Sequence, residues 1–162
     1  MNRTTYTPSV YIFLLVGAII VLIDQLSKAI IVSRLNVYDT RAVIPGFFNL
    51  THITNTGAAF GFMAGADNWR HILFQTIALA ALGGLVYLYK TFPQKTYAFF
   101  WGSALIFGGA LGNLIDRVRY GCVIDFADFY VGGYHWPAFN VADSAITIGG
   151  ALLAWHFLRA SS

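Results

Sequence analysis

The sequence predicts an all-α membrane protein with four transmembrane helices and a small region of β-structure outside the bilayer core. Composition is the first reason, because 57% of the 162 residues are hydrophobic and only 10% are charged, whereas about 25% of residues are charged in soluble domains. Four separate apolar segments are the second reason, since each is roughly as long as the 20 residues that a helix needs to cross the hydrocarbon core. Residues 1–162 are therefore interpreted as a single membrane-embedded domain.

Helix is the expected conformation of each apolar segment, because backbone polar groups in lipid must be satisfied within the segment. The first segment is too long for the apolar core of a secretory signal and contains Asp24 and Lys28, so we interpret it as a retained helix. The four segments comprise residues 11–32, 72–89, 97–115 and 141–158.

The connections between the segments predict the orientation of the chain. Residues 90–96 form a short basic loop on the same side as both termini, whereas the long connections 33–71 and 116–140 lie on the opposite side. Because basic residues are denser on the side of the short loop, the termini are expected in the cytoplasm and the long connections at the outer face.

The long connections also carry the predicted non-helical structure. Residues 47–63 combine aromatic, β-branched and small residues, which predicts short strands and a glycine-containing turn at the outer leaflet. Residues 126–130 and 134–136 are aromatic clusters suited to the membrane interface.

Composition and motif content argue against several classes of function. The formal net charge of +3 is too small to favour binding of nucleic acid. Cys122 is the single cysteine of the sequence, which rules out an intramolecular disulfide and a multi-cysteine metal site. The four histidines lack metal-ligand spacing, so neither a metal nor a cofactor is predicted.

Polar residues at membrane depth converge on one boundary. An ionisable group costs roughly 2.5–3.5 kcal/mol to insert at the middle of a membrane helix and usually has a function. Alternate helices run in opposite directions, yet the polar residues of three segments all lie near the outer boundary, which predicts a single polar pocket. These residues are Asp24, Lys28, Asn113, Asp116, Arg117, Asn140 and Asp143, with Asp125 in the loop just beyond.

Some of these residues have a structural explanation when they are considered singly. Asp24 and Lys28 are four positions apart and can neutralise each other on one helix face. Asn140 can cap the fourth helix, and the helix dipole favours an acid such as Asp143 in the first turn.

Three more acids have structural alternatives. Asp116 and Arg117 can form an interfacial ion pair in which the arginine reaches toward water. Asp125 and Asp128 can be solvated loop residues, and this is the preferred interpretation of Asp128.

Asp125 and Asp143 nevertheless form a chemically useful pair if they lie close together. Two close carboxyl groups cannot both ionise easily, so one keeps a proton that the other has lost. Such a pair can deprotonate a water molecule for attack on an amide carbonyl and protonate the leaving nitrogen. If the two acids lie close together, they are therefore a candidate site for hydrolysis of an amide bond.

Five sequence boxes resemble the conserved boxes of the lipoprotein signal peptidases, also called signal peptidase II. The resemblance covers nearly the whole chain in the family's order, and five boxes together are highly specific. The boxes are DQLSK (24–28), NTGAAFG (55–61), GGALGNLIDR (108–117), GCVIDF (121–126) and PAFNVADSAI (137–146).

The resemblance implies a bacterial inner-membrane aspartyl endopeptidase with four transmembrane helices and a small periplasmic β-sheet cradle. Enzymes of this family remove the signal peptide of a prolipoprotein and cut before a cysteine that carries diacylglycerol. The residues that match the catalytic dyad are Asp125 and Asp143. Substrate-binding or supporting roles match Asp24, Lys28, Asn55, Gly57, Asn113, Arg117 and Asn140, and residues 57–60 fall in the cradle. The expected partners are a lipid-modified prolipoprotein and membrane lipid, with no nucleic acid, and the chain is expected to be a monomer.

Two other classes of function stay open on the residues alone. A transporter or proton relay needs polar groups across the full membrane, but the inner half of the second to fourth helices offers only Ser103 and His156. A structural or lipid-binding subunit leaves the clustered acids without a purpose.

Overall fold

The chain forms four helices, as a computed structural model of residues 8–56, 68–93 and 96–160 describes it. Within these ranges each helix contains the whole of one predicted apolar segment, because long apolar runs satisfy their backbone polar groups best as helix. The helices are α1 (Val10–Arg34), α2 (Asn68–Thr91), α3 (Tyr97–Tyr120) and α4 (Val141–Ala160).

Three of these helices meet the requirements for a membrane span. Among the described residues, α1, α3 and residues 141–159 of α4 are long and apolar enough to cross a membrane. Some side chains near the start of α2 lie outside the described set, so the second span stays a prediction. Helix α3 is the centre of the bundle, since 56% of its span is buried against 17% for α1 and 22% for α4.

Glycines allow α3 and α4 to approach each other closely. A Cβ atom on Gly102 would lie 2.9 Å from the carbonyl oxygen of Gly149, and one on Gly149 would lie 2.7 Å from the carbonyl oxygen of Gly102. Small residues at such a contact are typical of helices that pack in membranes. The close approach brings the start of α4 against the second half of α3.

Aromatic side chains fill one end of the bundle, where α1 and α3 begin and α2 ends. Phe13, Tyr89 and Phe99 are buried there, and the rings of Phe13 and Tyr89 stack with their centroids 4.3 Å apart. The Tyr89 hydroxyl donates a hydrogen bond of 2.9 Å to the carbonyl oxygen of Pro8. The ion pairs of the helices lie at the opposite end.

A four-stranded antiparallel sheet forms at that opposite end, within the described part of the chain. The strands lie in the order β1 (Thr40–Ile44), β2 (Phe48–Asn55), β3 (Val123–Val131) and β4 (Tyr134–His135). The sequence predicts β2 but no strand outside residues 47–63, and its placement of Asp125 in a loop is wrong, because Asp125 lies in β3. The remainder of the predicted strand region, residues 57–63, lies outside the described residues. Pairing of β2 with β3 sets Ile53 opposite Asp125 and carries this acid to the ends of the helices.

Candidate active site

Lys28 lies at the centre of a buried ion cluster between α1 and α3. Its Nζ atom is 2.8 Å from Oδ2 of Asp24 and 2.7 Å from Oδ2 of Asp116. The predicted pairing of Asp24 with Lys28 is confirmed. The predicted Asp116–Arg117 pair is wrong, because the fully buried Asp116 side chain binds Lys28 inside the bundle. Arg117 instead donates a long hydrogen bond of 3.5 Å to the carbonyl oxygen of Asn113.

Neutral donors complete the environment of the two carboxylates in this cluster. The backbone N–H of Ala142 donates to Oδ1 of Asp24 at 2.9 Å, and that of Ile124 donates to Oδ2 of Asp116 at 3.2 Å. Gln25 Nε2 donates to Oδ1 of Asp116 at 2.8 Å and to Oδ2 of Asp24 at 3.2 Å. Sequence reasoning missed Gln25, although its position inside the DQLSK box is the signal that could have identified it. The cluster thus connects α1 with α3, α4 and β3.

Strand β3 places Asp125 next to this cluster. The residue is 3% exposed. Asn55, at the end of β2, donates from Nδ2 to Oδ2 of Asp125 at 3.0 Å, and Asn140 donates from Nδ2 to Oδ1 at 2.7 Å. The solvated-loop alternative for Asp125 is therefore wrong, because the β-branched and aromatic residues around it form a strand that buries it.

The first turn of α4 carries Asp143. The Oδ1 atom of Asn140 accepts from the N–H of Asp143 at 2.9 Å, and Oδ2 of Asp143 accepts from the N–H of Asn140 at 3.2 Å. This reciprocal pair is the predicted helix cap. Asn113 Nδ2 donates to Oδ1 of Asp143 at 2.8 Å, so the capping carboxylate also belongs to the polar pocket.

Asn140 connects the two aspartates of the predicted dyad. Its side-chain amide donates to Asp125 and its backbone N–H donates to Asp143. The same amide is 3.3 Å from Oδ1 of Asn113, which links it to the ion cluster. Two acids that are distant in the sequence thus lie around one residue.

Burial is the main reason that the pKa of Asp125 is raised to about 6. The negative charge of Asp143 acts in the same direction, whereas the hydrogen bonds from Asn55 and Asn140 and the charge of Lys28 lower the pKa. A carboxyl group with a pKa near 6 gains or loses its proton close to neutral pH, which suits general acid–base catalysis.

Lys28 also determines how the Asn113 side chain is turned. Lys28 Nζ donates to Oδ1 of Asn113 at 3.0 Å, and Asn140 Nδ2 donates to the same oxygen. An ammonium group has only donors, so it holds the amide oxygen toward itself and leaves the amide nitrogen for Asp143. Lys28 therefore helps to position the carboxylate of Asp143, although it does not contact that group.

The family is shown by comparison with known proteins. A family model described as "Signal peptidase (SPase) II" matches residues 16–159. The chain belongs to the signal peptidase II family. The resemblance inferred from the five sequence boxes is thus confirmed.

Relatives in the signal peptidase II family match nearly the full chain. The lipoprotein signal peptidase of Desulforapulum autotrophicum is 48% identical over 145 residues, which cover 89% of this chain and 90% of that protein. The lipoprotein signal peptidase of Paraburkholderia phymatum is also 48% identical and is matched over 98% of this chain and 96% of its own length.

Two solved structures described as a bacterial membrane enzyme have a similar fold. Each is 36% identical in sequence and has a TM-score of 0.84. One match covers 98% of this chain and 94% of the solved chain, and the other covers 96% and 98%. With its three apolar spans, this chain is a bacterial membrane protein.

Gly57 and Arg117 are also assigned to the signal peptidase II site by resemblance. Gly57, with the rest of 57–60, lies outside the described residues. Over the part of the chain that the structure describes, Arg117 makes no hydrogen bond or ion pair with Asp125 or Asp143. Their assigned roles stay predictions.

Asp128 is a sheet residue of this signal peptidase II rather than the predicted solvated loop residue. It is 8% exposed, and it accepts hydrogen bonds from Asn49 Nδ2 at 2.8 Å and His135 Nδ1 at 2.7 Å. Burial pushes the pKa of Asp128 upward, but the hydrogen bonds from Asn49 and His135 outweigh burial and lower the pKa. Asp128 therefore stays ionised and joins β2, β3 and β4.

Proposed function

We propose that Asp125 and Asp143 are the catalytic dyad of this enzyme. A signal peptidase II is an aspartic endopeptidase that cleaves signal peptides from prolipoproteins, and family membership gives this chain that activity. The observation that carries the dyad assignment is Asn140, which donates hydrogen bonds to both carboxyl groups.

The two carboxyl groups divide the proton transfers of peptide hydrolysis between them. The ionised carboxylate takes a proton from water, and the water oxygen attacks the carbonyl carbon of the scissile bond. The protonated partner gives its proton to the leaving nitrogen, and the C–N bond breaks. The acid that was ionised has then gained a proton from water and its partner has lost one to the leaving nitrogen, so transfer of a proton back between them restores the enzyme.

Asymmetric surroundings support such a division of roles. Asp125 is held by two side-chain amides and has a pKa of about 6. Asp143 is held by the Asn113 amide and by the backbone at the start of α4. Neutral donors orient both carboxyl groups without adding a charge that would fix their protonation, since a strong cation nearby favours the ionised form.

The proposed substrate is a prolipoprotein with a diacylglyceryl-modified cysteine, cut just before that cysteine. The dyad lies where three spans end and the sheet begins, so the substrate's acyl chains can stay in the bilayer while its peptide reaches the acids. Entry is therefore lateral, from the lipid. The protein is proposed to act as a monomer.

The proposed location is the inner membrane, with four spans, cytoplasmic termini, and the sheet and dyad at the periplasmic face. Lys90 and Arg159 lie in the last turns of α2 and α4, at the end of the bundle away from the sheet. Basic residues at that end are typical of the cytoplasmic side.

A transport function has less support. A path across the bilayer needs polar groups along its whole length. Here the end of the bundle away from the sheet is filled by the buried aromatic cluster of Phe13, Tyr89, Phe99 and Phe100.

The dyad is tested by replacing each acid with its neutral amide. Asp125→Asn and Asp143→Asn should each abolish cleavage of a diacylglyceryl-modified precursor by the purified enzyme, because each removes one of the two proton-transfer groups. Losses of about 10³-fold or more are expected when a group of this kind is removed. Cleavage is measured by the mobility shift of the precursor on a gel.

Asp39→Asn is the matched control, because Asp39 is exposed and its side chain binds Asn36 in the connection after α1. This variant should cleave at the wild-type rate. Near wild-type activity in either dyad variant would end the dyad assignment, provided that all three variants keep the helical circular dichroism of the wild type.

A further inference from the structure

A second pocket lies beside α1, apart from the aspartate network. It is an open pocket with a volume of about 270 Å³, and residues of the end of α1 and of strands β1 and β2 line it. Apolar side chains supply most of its wall, and two arginines supply the rest. The lining residues are Ile30, Ile31, Leu35, Leu50, Arg34 and Arg41.

The two arginines give this pocket an uncompensated positive charge. Arg34 ends α1 and Arg41 lies in β1, and neither has a hydrogen-bond or ion-pair partner for its side chain among the described residues. Asp39, the acid between them in the sequence, accepts from the backbone and side chain of Asn36 instead, at 2.9 Å each. Two guanidinium groups beside one cavity are complementary to an anion, and their planar donor sets match a phosphate group.

The pocket is expected at the depth of lipid headgroups. Helix α1 is a candidate membrane span and Arg34 is its last residue, so we expect this end of α1 at the boundary of the hydrocarbon core. Leu26, Ile30 and Arg34 follow each other at intervals of four residues and therefore lie on one side of α1. Leu26 and Ile30 are 55% and 60% exposed. An apolar track thus runs from the arginines toward the middle of the membrane.

We propose that this pocket binds an anionic phospholipid. The phosphate group of the lipid lies between Arg34 and Arg41, and the first carbons of the acyl chains contact the apolar wall of the pocket. A cavity of about 270 Å³ is smaller than a typical pocket for a drug-sized ligand. It therefore holds the headgroup region of the lipid, and an acyl chain continues along Leu26 and Ile30. The diacylglyceryl group of the proposed substrate carries no phosphate, so the two arginines favour a membrane phospholipid over the substrate's own lipid.

Lipid retention by the purified full-length protein tests this site directly. Detergent-solubilised protein is titrated with dioleoylphosphatidylglycerol or dioleoylphosphatidylcholine, and bound lipid is counted by native mass spectrometry. The wild type should retain phosphatidylglycerol in preference to phosphatidylcholine. Arg34→Ala/Arg41→Ala should bind phosphatidylglycerol roughly 25-fold more weakly, at about fivefold for each arginine near a lipid surface.

Arg119→Ala is the matched control, because Arg119 is also exposed and lies at the same end of the bundle. Its guanidinium lies 5.6 Å from the centre of the Tyr120 ring, away from the pocket lining. This variant should retain phosphatidylglycerol as the wild type does. Both arginines of the pocket are exposed, so their replacement should leave the fold intact, as circular dichroism checks.

Three results would overturn the proposal. The first is undiminished phosphatidylglycerol binding by the double variant, and the second is equal retention of the two lipids by the wild type. The third is displacement of phosphatidylglycerol by inorganic phosphate at equal concentration, which would identify the site as one for a soluble anion. Because the readout is lipid binding and not cleavage, it does not depend on the dyad assignment.

Discussion

At the scale of single residues, Asn140 combines a helix cap with a connection between two acids. Its Oδ1 atom accepts from the first turn of α4, while its Nδ2 atom donates to Asp125. Serine or aspartate could cap the helix, but neither offers an amide N–H to a carboxylate at the same time. The cap could be predicted from the position of Asn140 before an apolar segment. The bond to Asp125 could not, because it depends on where β3 lies.

Asp128 also shows that the local sequence does not reveal the environment of an acid. An aspartate flanked by aromatic residues in a long connection has no local feature that distinguishes a solvated side chain from a buried one. Its burial depends on Asn49, in a strand far away in the sequence, and on His135. The partners of a buried acid, and not its own neighbours in the sequence, decide its environment.

The hydrogen bond from Asn55 to Asp125 leads to a prediction about pH dependence. That bond favours the ionised carboxylate and so lowers the pKa of Asp125 below the value that burial alone would give. Asn55→Ala should therefore raise this pKa further above 6, and the limb of the pH–rate profile that Asp125 controls should move to higher pH. A shift of about one pH unit is expected for one hydrogen bond to a charged group. The measurement is kcat/KM for precursor cleavage across the pH range.

Asn49→Ala controls for the loss of an amide from the same strand. Asn49 donates to Asp128 and not to Asp125, so this variant should leave the position of the limb unchanged. A limb that stays in place in Asn55→Ala, or moves to lower pH, would contradict the role given to Asn55.

At the scale of elements, the helices could be predicted well, whereas β2 was the one strand of the described sheet that could be predicted. A run of about 20 apolar residues marks a span by its own composition, and α1 to α4 each contain such a run. Strand pairing depends on residues that are distant in the sequence. Asn55 lies opposite Val123 in the sheet, and neither local sequence predicts the other. Asp125 and Asp128 further disguise β3, because aspartate is uncommon in strands.

Two neighbouring glycines of α4 lead to a prediction about helix packing. A Cβ atom at Gly149 would lie 2.7 Å from the carbonyl oxygen of Gly102, whereas one at Gly150 would have nothing within 4 Å. Gly149→Ala should destabilise the protein by about 1–3 kcal/mol, because α4 must move away from α3. Gly150→Ala is the control and should be neutral or slightly stabilising, because alanine favours helix.

Thermal unfolding in detergent, followed by circular dichroism at 222 nm, distinguishes the two variants. Only Gly149→Ala should unfold at a lower temperature than the wild type. Equal effects of the two substitutions would mean that contact between α3 and α4 does not limit stability. A fall in peptidase activity is also expected for Gly149→Ala, since the same packing holds the start of α4 and Asp143 against α3.

At the scale of the whole molecule, the two ends of the bundle have different chemistry. One end is closed by aromatic rings, and the other contains the ion cluster, the proposed dyad and the sheet. The convergence of polar residues on one boundary could be predicted, because it requires only the directions of the helices. The pairing of Lys28 with Asp116 could not, since it requires the rotation of α1 and α3 about their axes.

The ion cluster links distant parts of the molecule and leads to the last prediction. Lys28→Met keeps a long side chain but leaves Asp24 and Asp116 as two buried carboxylates without a cation. Removal of one partner from a buried ion pair costs roughly 3–5 kcal/mol, so the variant should unfold at a markedly lower temperature. Lys90→Met, an exposed lysine in the last turn of α2, is the control and should change little.

Adding Asp24→Asn to Lys28→Met separates charge from packing. If uncompensated charge is the cause, the double variant should recover part of the lost stability, because only one buried carboxylate then lacks a cation and the new amide oxygen can still accept from the N–H of Ala142. If lost packing is the cause, the second substitution should lower stability again, since it removes another native side chain. Unfolding temperatures of the four combinations of wild-type and mutant residues decide between the two, and a further fall in the double variant would show that Lys28 does not act through its charge.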